Sequence, residues 1–317
     1  MKKVIVTGGL GFIGSHLVDM LLGRNIEVTI VDDQRSSAMK AEEYNSCRIY
    51  NTINDAVLWA HNVDAVFHLA SVVGPAGVLS YAGEMGEIVE DVIAVRDYCI
   101  KERALFVYVS TSEIYGQTGL LAEDMTKIFP GEYQIRTEYG AAKMLGEIIT
   151  VNKARVTSDL KYHIIRPFNV SGPRQQPNGG FVLPRFIIAA LKNKPMTIFW
   201  DGLMNRAFTD VRDVCDGIFA VIESGLTNEI WNIGNIKNKM EIKQLAVLVK
   251  ERVEIKCPGL EVSYEYVNPK DIYGDLFSEA IDKIPDVSKM HQKTNWRTKI
   301  LIEQTIDDLI DYYMEKL

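Results

Sequence analysis

The fold is decided by a stretch near the beginning of the sequence, Val4-Ile5-Val6-Thr7-Gly8-Gly9-Leu10-Gly11-Phe12-Ile13-Gly14-Ser15-His16. Its apolar start predicts a short buried strand, and the apolar spacing over 17–22 predicts a helix that ends at Gly23. The glycines between them allow backbone N–H groups to approach a pyrophosphate at the N-terminus of that helix. A lone glycine pattern of this kind also arises by chance, so its neighbours decide its meaning.

A second apolar strand, 28–31, follows the helix and ends at Asp32 and Asp33. An acid about 20 residues after the glycine turn is placed to bind the hydroxyls of an adenosine ribose. A carboxylate there repels a 2′-phosphate, so the sequence favours NAD over NADP. Arg35 follows closely and is the alternative, since it could bind such a phosphate. Strand, turn, helix, strand and acid in this order predict an NAD-binding unit.

Bulk composition is typical of a globular enzyme. The 317 residues are 47% hydrophobic and carry a net charge of −7, without the basic stripe that marks nucleic-acid binding. No run approaches the roughly 18 consecutive apolar residues of a membrane span, and no signal-peptide pattern precedes the first strand. The four cysteines are scattered without metal-ligand spacing. We therefore expect a cytoplasmic protein with reduced thiols, no metal, and no nucleic-acid or membrane partner.

Strand and helix patterns then alternate along the chain. Buried strands are expected at 64–70, 104–109 and 162–167, with an amphipathic helix over 84–101. Alternation of this kind predicts an α/β fold of Rossmann type, a doubly wound parallel sheet with ligands at the carboxyl ends of its strands. A loop rich in glycine, proline, asparagine and glutamine follows Pro167. We expect an NAD-binding domain over 1–167. Residues 168–317 are expected to form mainly a smaller substrate-binding lobe, with some segments returning to the first domain.

Tyr139 and Lys143 are the most informative side chains. A spacing of four residues places both on one face of a helix, one turn apart. A free tyrosine has a pKa of about 10, and a neighbouring ammonium stabilises the phenolate and lowers that value. Most pairs with this spacing are ordinary contacts on a helix surface, so the pair gains its meaning from the motifs around it.

In its motifs the chain resembles the extended short-chain dehydrogenase/reductases of the nucleotide-sugar epimerase, dehydratase and decarboxylase group. The resemblance covers nearly the whole chain, in order. It rests on Thr-Gly-Gly-x-Gly-Phe-Ile-Gly at 7–14, His-Leu-Ala at 68–70, Ser-Thr-Ser-Glu-Ile-Tyr-Gly at 110–116, Tyr139 with Lys143, and the segments 166–174, 206–213, 232–234 and 285–289.

The resemblance assigns roles to individual residues. Tyr139 is the expected acid/base for a sugar hydroxyl, Lys143 holds the nicotinamide ribose and lowers the pKa of Tyr139, and Thr111 is the third catalytic hydroxyl. Asn169 and Arg206 match positions that bind the nucleotide diphosphate, where an arginine suits bidentate contacts. Ser112 is a further substrate-binding candidate. The expected NAD contacts are Gly8, Gly11, Phe12, Ile13, Gly14, Asp32, Asp33, Thr52, Ile53, Leu69, Ala70, Ser71, Tyr139, Lys143 and Pro167.

Two segments depart from the family pattern. Many relatives read adenine with an acid in a Gly-Asp-hydrophobic motif, whereas this chain has Asn51-Thr52-Ile53. The segment 71–77, which should lie near the substrate, matches no single subgroup. The identity of the substrate is left open by the second departure.

Glu113 divides the subgroups within the resemblance. A carboxylate there suggests chemistry at C5, next to a 4-keto group. Dehydratases share it but many have aspartate before it, where this chain has Ser112; decarboxylases of nucleotide-linked glucuronate and some 4-epimerases also carry the Ser-Glu pair. The structural alternative for Glu113 is a carboxylate that caps the loop backbone.

The leading hypothesis is an NAD-dependent nucleotide-sugar 4-epimerase, an isomerase acting on a UDP-hexose through a 4-keto intermediate. The alternatives are a decarboxylase of UDP-glucuronate type or a dehydratase that uses Glu113 at C5, and, in another class, a non-catalytic dinucleotide sensor. The resemblance also implies a homodimer built from the helices at 84–101 and 139–155. Their apolar residues Ile88, Val92, Leu145 and Ile149 face either that interface or their own sheet.

Overall fold

The structure is a computed structural model that describes residues 1–57, 59–72, 74–116, 118–129, 134–275, 277 and 282–317. Val73, within the segment 71–77, lies outside the described residues. The strands are β1 (Lys3–Thr7), β2 (Glu27–Val31), β3 (Arg48–Tyr50), β4 (Ala65–His68), β5 (Leu105–Val109), β6 (Leu120–Leu121), β7 (Lys161–Pro167), β8 (Val170–Ser171), β9 (Met196–Phe199), β10 (Asn205–Ala207), β11 (Thr209–Asp210), β12 (Glu229–Ile233), β13 (Lys239–Glu241), β14 (Tyr264–Val267) and β15 (Ile284–Pro285).

The helices are α1 (Phe12–Gly23), α2 (Ile53–Val57), α3 (Pro75–Ser80), α4 (Gly86–Glu102), α5 (Ile135–Val156), α6 (Val182–Leu191), α7 (Val211–Glu223), α8 (Ile242–Lys256), α9 (Lys270–Tyr273), α10 (Ser288–Lys293) and α11 (Ile302–Met314). Short 3₁₀-helices lie at Ala41–Tyr44, Ser112–Tyr115, Pro177–Gly179 and Ile236–Asn238. None of the helices in the described ranges has the length and apolar character needed to cross a bilayer.

The central sheet has the strand order β12-β7-β5-β4-β1-β2-β3, and its strands pair in parallel. The order reverses at β1, which lies between β4 and β2. In doubly wound sheets, ligands bind at the carboxyl ends of the strands beside this reversal. The predicted Rossmann-type α/β fold is confirmed.

Both faces of the sheet are covered by helices because its strands are apolar on both sides. Val4 and Val6 point into a core with α1 and α7, whereas Ile5 points into a second core with α2 and α4. All three residues are completely buried. The alternation follows from the period of two along a strand.

A further hydrophobic core is formed by α6, β9, α8 and α11 of the C-terminal half. Other parts of that half belong to the central sheet, since β12 forms its edge and α7 packs on α1. The chain therefore passes between the sheet and the second core more than once. A domain boundary at Pro167 stays a prediction.

The outer faces of α4 and α5 carry several exposed apolar side chains. Ile88 and Val92 are buried within the subunit, whereas Leu145 and Ile148 are each 44% exposed. Of the residues named from the sequence, Leu145 is thus the one with substantial area available to a second subunit. The homodimer itself stays a prediction.

Candidate active site

The glycine turn brings β1 into close contact with the end of β4. Gly8 has a φ of +68°, and a Cβ there would lie 2.8 Å from the Ala70 nitrogen. A Cβ on Gly14 would lie 2.0 Å from the Gly8 oxygen, so α1 could not begin at Phe12 with a larger residue at this position. Leu69 and Ala70 donate backbone hydrogen bonds to the Thr7 oxygen and the Thr7 hydroxyl, at 3.1 and 3.2 Å. These contacts form a backbone cradle at the N-terminus of α1.

Asp32 fixes the opposite side of this cradle. Its carboxylate accepts hydrogen bonds from the backbone of Leu10 and Gln34 and from the Ser37 hydroxyl, each at 2.9 Å. Two carboxylate oxygens offer about four acceptor positions, so three bonds leave room for a ribose hydroxyl. Glycines that permit close approach and an acid at the end of β2 are the features that NAD requires. The described residues therefore fit this cofactor.

Other predicted cofactor contacts have additional local partners. Asp33 forms an ion pair with Arg35, with 2.6 Å between Oδ2 and Nε, so the arginine that could have bound a 2′-phosphate is paired with a carboxylate. The Thr52 hydroxyl donates to the Asp55 carboxylate at 2.7 Å and accepts from the Asp55 nitrogen. Ile53 is buried at the start of α2. The expected contacts of Thr52 and Ile53 with adenine stay predictions.

Three hydroxyls meet at the carboxyl ends of β4 and β5. The side chains of Thr111 and Ser71 lie close enough to the Tyr139 hydroxyl to affect its pKa. Thr111 follows β5, Ser71 follows β4, and Tyr139 comes from the first turns of α5. Ser71 was expected only as a cofactor contact, and the structure brings it to the tyrosine. Three segments distant in sequence thus place three hydroxyls around one point.

The pKa of Tyr139 departs from the expectation. Burial raises it to about 12, and the neighbouring hydroxyls of Thr111 and Ser71 oppose this rise. The prediction that Lys143 lowers the pKa of Tyr139 is wrong for this structure. The Lys143 ammonium is directed elsewhere, since it donates to the Val109 oxygen at 3.1 Å and lies 5.1 Å from the centre of the Tyr108 ring.

Lys143 is itself strongly affected by its surroundings. Its side chain is completely enclosed, and burial lowers its pKa to about 7, while the carboxylates of Asp91 and Glu147 oppose the change. An ammonium that titrates near neutral pH can gain or lose a proton during a reaction cycle. Pairs of titratable groups with shifted pKa values are typical of catalytic sites.

Glu113 is held by two cations. Its carboxylate accepts two hydrogen bonds from Arg136, at 2.5 Å from Nε and 2.7 Å from Nη2, and a third from Lys283. Thr111 caps the short helix that carries it, since its hydroxyl accepts from the Glu113 nitrogen at 3.2 Å. The backbone cap is therefore Thr111, and the carboxylate of Glu113 binds cationic side chains.

The sequence did not single out Arg136 or Lys283. Arg136 lies three residues before Tyr139 on the same helix, a spacing that could have indicated it. Lys283 lies 170 residues from Glu113 in sequence, and no local pattern announces that contact. Burial lowers the pKa of Lys283 to about 7, and the adjacent carboxylate of Glu113 favours its charged form.

The predicted substrate residues converge near Lys283. The Asn169 amide donates to the Ala207 oxygen at 3.2 Å, and Arg206, the residue before Ala207, is 7% exposed. A β-bridge joins Arg206 to Lys283. Ser112 is buried beside Glu113, and Pro167 ends β7. The structure thus gathers Asn169, Arg206 and Glu113 around Lys283.

Comparison with known proteins gives consistent results. Residues 4–234 match the family described as the NAD dependent epimerase/dehydratase family. The UDP-N-acetyl-alpha-D-glucosaminuronate decarboxylase of Bacillus cytotoxicus is 30% identical, over 99% of this chain and 98% of the relative.

Solved structures show the same likeness. The UDP-glucose 4-epimerase of Thermotoga maritima, solved with UDP-glucose, has a TM-score of 0.82 at 28% identity, covering 99% of both chains. The UDP-glucuronic acid 4-epimerase of Bacillus cereus, solved with UDP-glucuronic acid and NAD, has a TM-score of 0.82 at 25% identity, covering 99% of this chain and 100% of that one.

Proposed function

The chain belongs to the NAD-dependent epimerase/dehydratase family, and we propose that it oxidises C4 of a nucleotide-linked uronic acid and then releases the C6 carboxylate as carbon dioxide. The observation that carries the first step is the cluster of Tyr139, Thr111 and Ser71 hydroxyls at the carboxyl ends of β4 and β5. Such a cluster can accept the proton of a sugar hydroxyl while holding its oxygen in place.

NAD supplies the hydride acceptor for this oxidation and returns the hydride at the end. The glycine turn and Asp32 would hold its pyrophosphate and adenosine ribose, and Lys143 its nicotinamide ribose. Tyr139 takes the proton from the 4-hydroxyl, and Thr111 shares a hydrogen bond with the same oxygen. A cationic nicotinamide bound beside Tyr139 would favour its phenolate and so offset the effect of burial on its pKa.

The second step rests on Glu113 and its cations. Dehydration requires a base that removes the C5 proton, but the Glu113 carboxylate is engaged by Arg136 and Lys283, which makes it a poor base. Ser112 also replaces the aspartate that many dehydratases place there. Decarboxylation needs no such base, because C5 already carries the group that leaves.

Decarboxylation follows the oxidation at C4. The C5–C6 bond breaks, its electron pair passes into the C4 carbonyl through an enolate, and carbon dioxide leaves. Tyr139 stabilises the enolate oxygen by its hydrogen bond, and C5 takes up a proton from water. Tyr139 gives its own proton back to the 4-oxygen when the hydride returns to C4. Lys283 and Arg136 place two cationic side chains around Glu113, where they would favour a substrate that carries a carboxylate. The likeness to the decarboxylase of Bacillus cytotoxicus, over nearly the full length of both chains, supports this choice.

The test is incubation of the purified protein with NAD and a panel of UDP-glucuronate, UDP-N-acetylglucosaminuronate, UDP-glucose and UDP-N-acetylglucosamine. Proton NMR follows the sugar, and a coupled assay follows carbon dioxide. We expect a pentose-type product and one carbon dioxide for each uronate consumed. Turnover of a uronate without carbon dioxide, or turnover of neutral sugars alone, contradicts the proposal.

The second candidate is the NAD-dependent 4-epimerase expected from the sequence. It is supported by the likeness to the UDP-glucose 4-epimerase of Thermotoga maritima and by the fact that epimerisation also needs no base at C5. It predicts an unchanged carbon skeleton with inverted configuration at C4 in the same assay. NAD binding without reaction of any nucleotide sugar would instead favour the dinucleotide sensor.

A further inference from the structure

A buried guanidinium joins two of the elements that carry the hydroxyl cluster. Arg166, near the end of β7, is 2% exposed. Its Nε and Nη2 donate to the two oxygens of Glu147 at 3.0 and 2.6 Å. Its Nη1 donates to the Tyr115 hydroxyl and to the Glu123 backbone oxygen, both at 3.0 Å. The Arg166 guanidinium thus donates hydrogen bonds from both of its sides.

The partners of Arg166 belong to the two elements that carry the site. Tyr115 is the last residue of the 3₁₀-helix that contains Glu113 and is capped by Thr111. Glu147 lies on α5, one turn beyond Lys143 and two turns beyond Tyr139. The Tyr115 hydroxyl in turn donates to the Asn232 side chain on β12 at 2.7 Å. One guanidinium therefore connects the Thr111 side of the site with the Tyr139 side.

The same two elements also touch directly. A Cβ on Gly140 would lie 3.3 Å from the Glu113 backbone oxygen, a tight contact, so glycine at position 140 helps α5 to pack closely on the 3₁₀-helix. A displacement of either element would move Thr111 relative to Tyr139. Proximity effects are steep, since a misplacement of about 1 Å can cost roughly a hundredfold in rate.

We propose that Arg166 is a positioning residue, which fixes the 3₁₀-helix of Glu113 against α5 and neutralises the Glu147 carboxylate beside Lys143. The positioning role rests on the proposed function, since it concerns the distance between Thr111 and Tyr139 during oxidation at C4. The neutralisation of the Glu147 carboxylate by Arg166 does not depend on the proposed function. A buried ion pair often adds little to the free energy of unfolding. A role in fixing the geometry of the site therefore explains the contacts of Arg166 better than a role in stability.

The electrostatic role follows from the groups around Lys143. Its ammonium faces Asp91 on α4 and Glu147 on α5, and the His68 and Tyr108 rings lie on β4 and β5. The charges of Glu87, Asp33 and Arg35 affect the pKa of Asp91. Glu147 has Arg166 as its direct ion-pair partner. Loss of the guanidinium leaves the Glu147 charge uncompensated, and this raises the pKa of Lys143.

The experiment compares Arg166→Lys, Arg166→Met and Tyr115→Phe in the full chain with NAD. The first variant keeps the charge but loses the fork, the second loses both, and the third loses one hydroxyl. Arg252→Met is the matched control, because it removes a two-point ion pair with Asp307 that lies between α8 and α11. The readouts are the rate of nicotinamide reduction in a single turnover and the titration of Lys143 by ¹³Cε NMR.

We expect both Arg166 variants to slow nicotinamide reduction by about a hundredfold and Tyr115→Phe by about tenfold, with Arg252→Met unchanged. The Lys143 titration should move to higher pH in Arg166→Met and stay in place in Arg166→Lys. Unchanged reduction rates in Arg166→Lys and Tyr115→Phe would overturn the positioning role. Tyr115→Phe keeps this test available if Arg166→Met does not fold.

Failure of the proposed function gives a different result. In that case no nucleotide sugar reduces the nicotinamide even in the unaltered protein, and the NMR titration still reports on Arg166. An unchanged Lys143 titration in folded Arg166→Met would then overturn the neutralising role.

Discussion

The Tyr139 hydroxyl lies near the side chains of Thr111 and Ser71 inside the protein, and burial raises its pKa to about 12. Lys143 undergoes the converse change, since burial lowers its pKa to about 7. Desolvation disfavours the charged form of each group, so the acid becomes weaker and the ammonium more acidic. Burial therefore changes the pKa values of both residues more than the contact between them that their spacing suggested.

Tyr139→Phe should abolish most of the activity. The change removes the group proposed to accept the proton of the sugar hydroxyl, and loss of such a group typically lowers kcat by about 10²- to 10⁴-fold. The buried ring stays in place, so NAD content should be unchanged. Initial rates and bound NAD are measured side by side.

Thr111→Val is the companion variant for Tyr139→Phe. It removes one hydroxyl beside the tyrosine and should cost less than the loss of the phenol itself. Full activity of Tyr139→Phe would contradict the assignment of the acid/base.

At the scale of elements, the sequence located most helices and strands near the site. The helix expected over 84–101 is Gly86–Glu102, and the strand expected over 162–167 is Lys161–Pro167. Apolar periodicity was sufficient here because both elements bury one or two faces on the sheet. The contact of α5 with β5 was not predictable, since it depends on a glycine in a helix interior, which propensity alone disfavours.

Gly146→Ala should therefore be destabilising. A Cβ at this position would lie 2.7 Å from the Tyr108 hydroxyl, whose ring is completely buried. Overpacking costs about 1–3 kcal/mol, against a gain of about 1 kcal/mol in helix propensity. Because Lys143 and Tyr139 are on the displaced helix, activity should fall as well. Chemical denaturation and initial rates measure the two effects.

The controls for Gly146→Ala are the same substitution at another helical glycine and a double variant. A Cβ on Gly86, at the start of α4, meets no atom within 4 Å, so Gly86→Ala should not destabilise the protein. Combining Gly146→Ala with Tyr108→Phe removes the clashing hydroxyl and should restore part of the stability. A loss of stability in Gly86→Ala equal to that in Gly146→Ala would contradict the steric explanation.

At the scale of the whole molecule, two buried histidines make the fold sensitive to acid. Burial lowers the pKa of His68 to about 3 and that of His163 to about 4, from 6.5. Below pH 6.5 the unfolded chain binds protons that the folded chain does not. The stability that each histidine contributes is therefore fully present above pH 6.5 and is lost as the pH falls, towards 4 for His163 and towards 3 for His68.

We expect the free energy of unfolding to fall between pH 7 and 5 by about 2 kcal/mol for each of these histidines. Three carboxyl groups oppose this fall in the free energy of unfolding near pH 5, because burial raises their pKa values: Asp91, Glu123 and Asp213. His163→Gln isolates one contribution, since glutamine can still accept the hydrogen bond from Trp231. Urea denaturation at several pH values measures the slope. An unchanged slope in His163→Gln would contradict the assignment.

The sequence by itself determined the Rossmann-type sheet, the glycine turn, the acid at the end of β2 and the spacing of Tyr139 and Lys143 on α5. These features are local, since each depends on a few consecutive residues whose side-chain period or backbone freedom can be read directly. It also identified the family, because the motifs occur in a fixed order along the chain.

Only the tertiary structure decided how the side chains are charged and held. Burial, which depends on the whole fold, reversed the expected pKa shift of Tyr139. The ion pairs of Glu113 with Lys283 and of Arg166 with Glu147 join residues from separate elements. Their partners are chosen by the packing of the sheet, α5 and the C-terminal segment. No spacing along the chain encodes that choice.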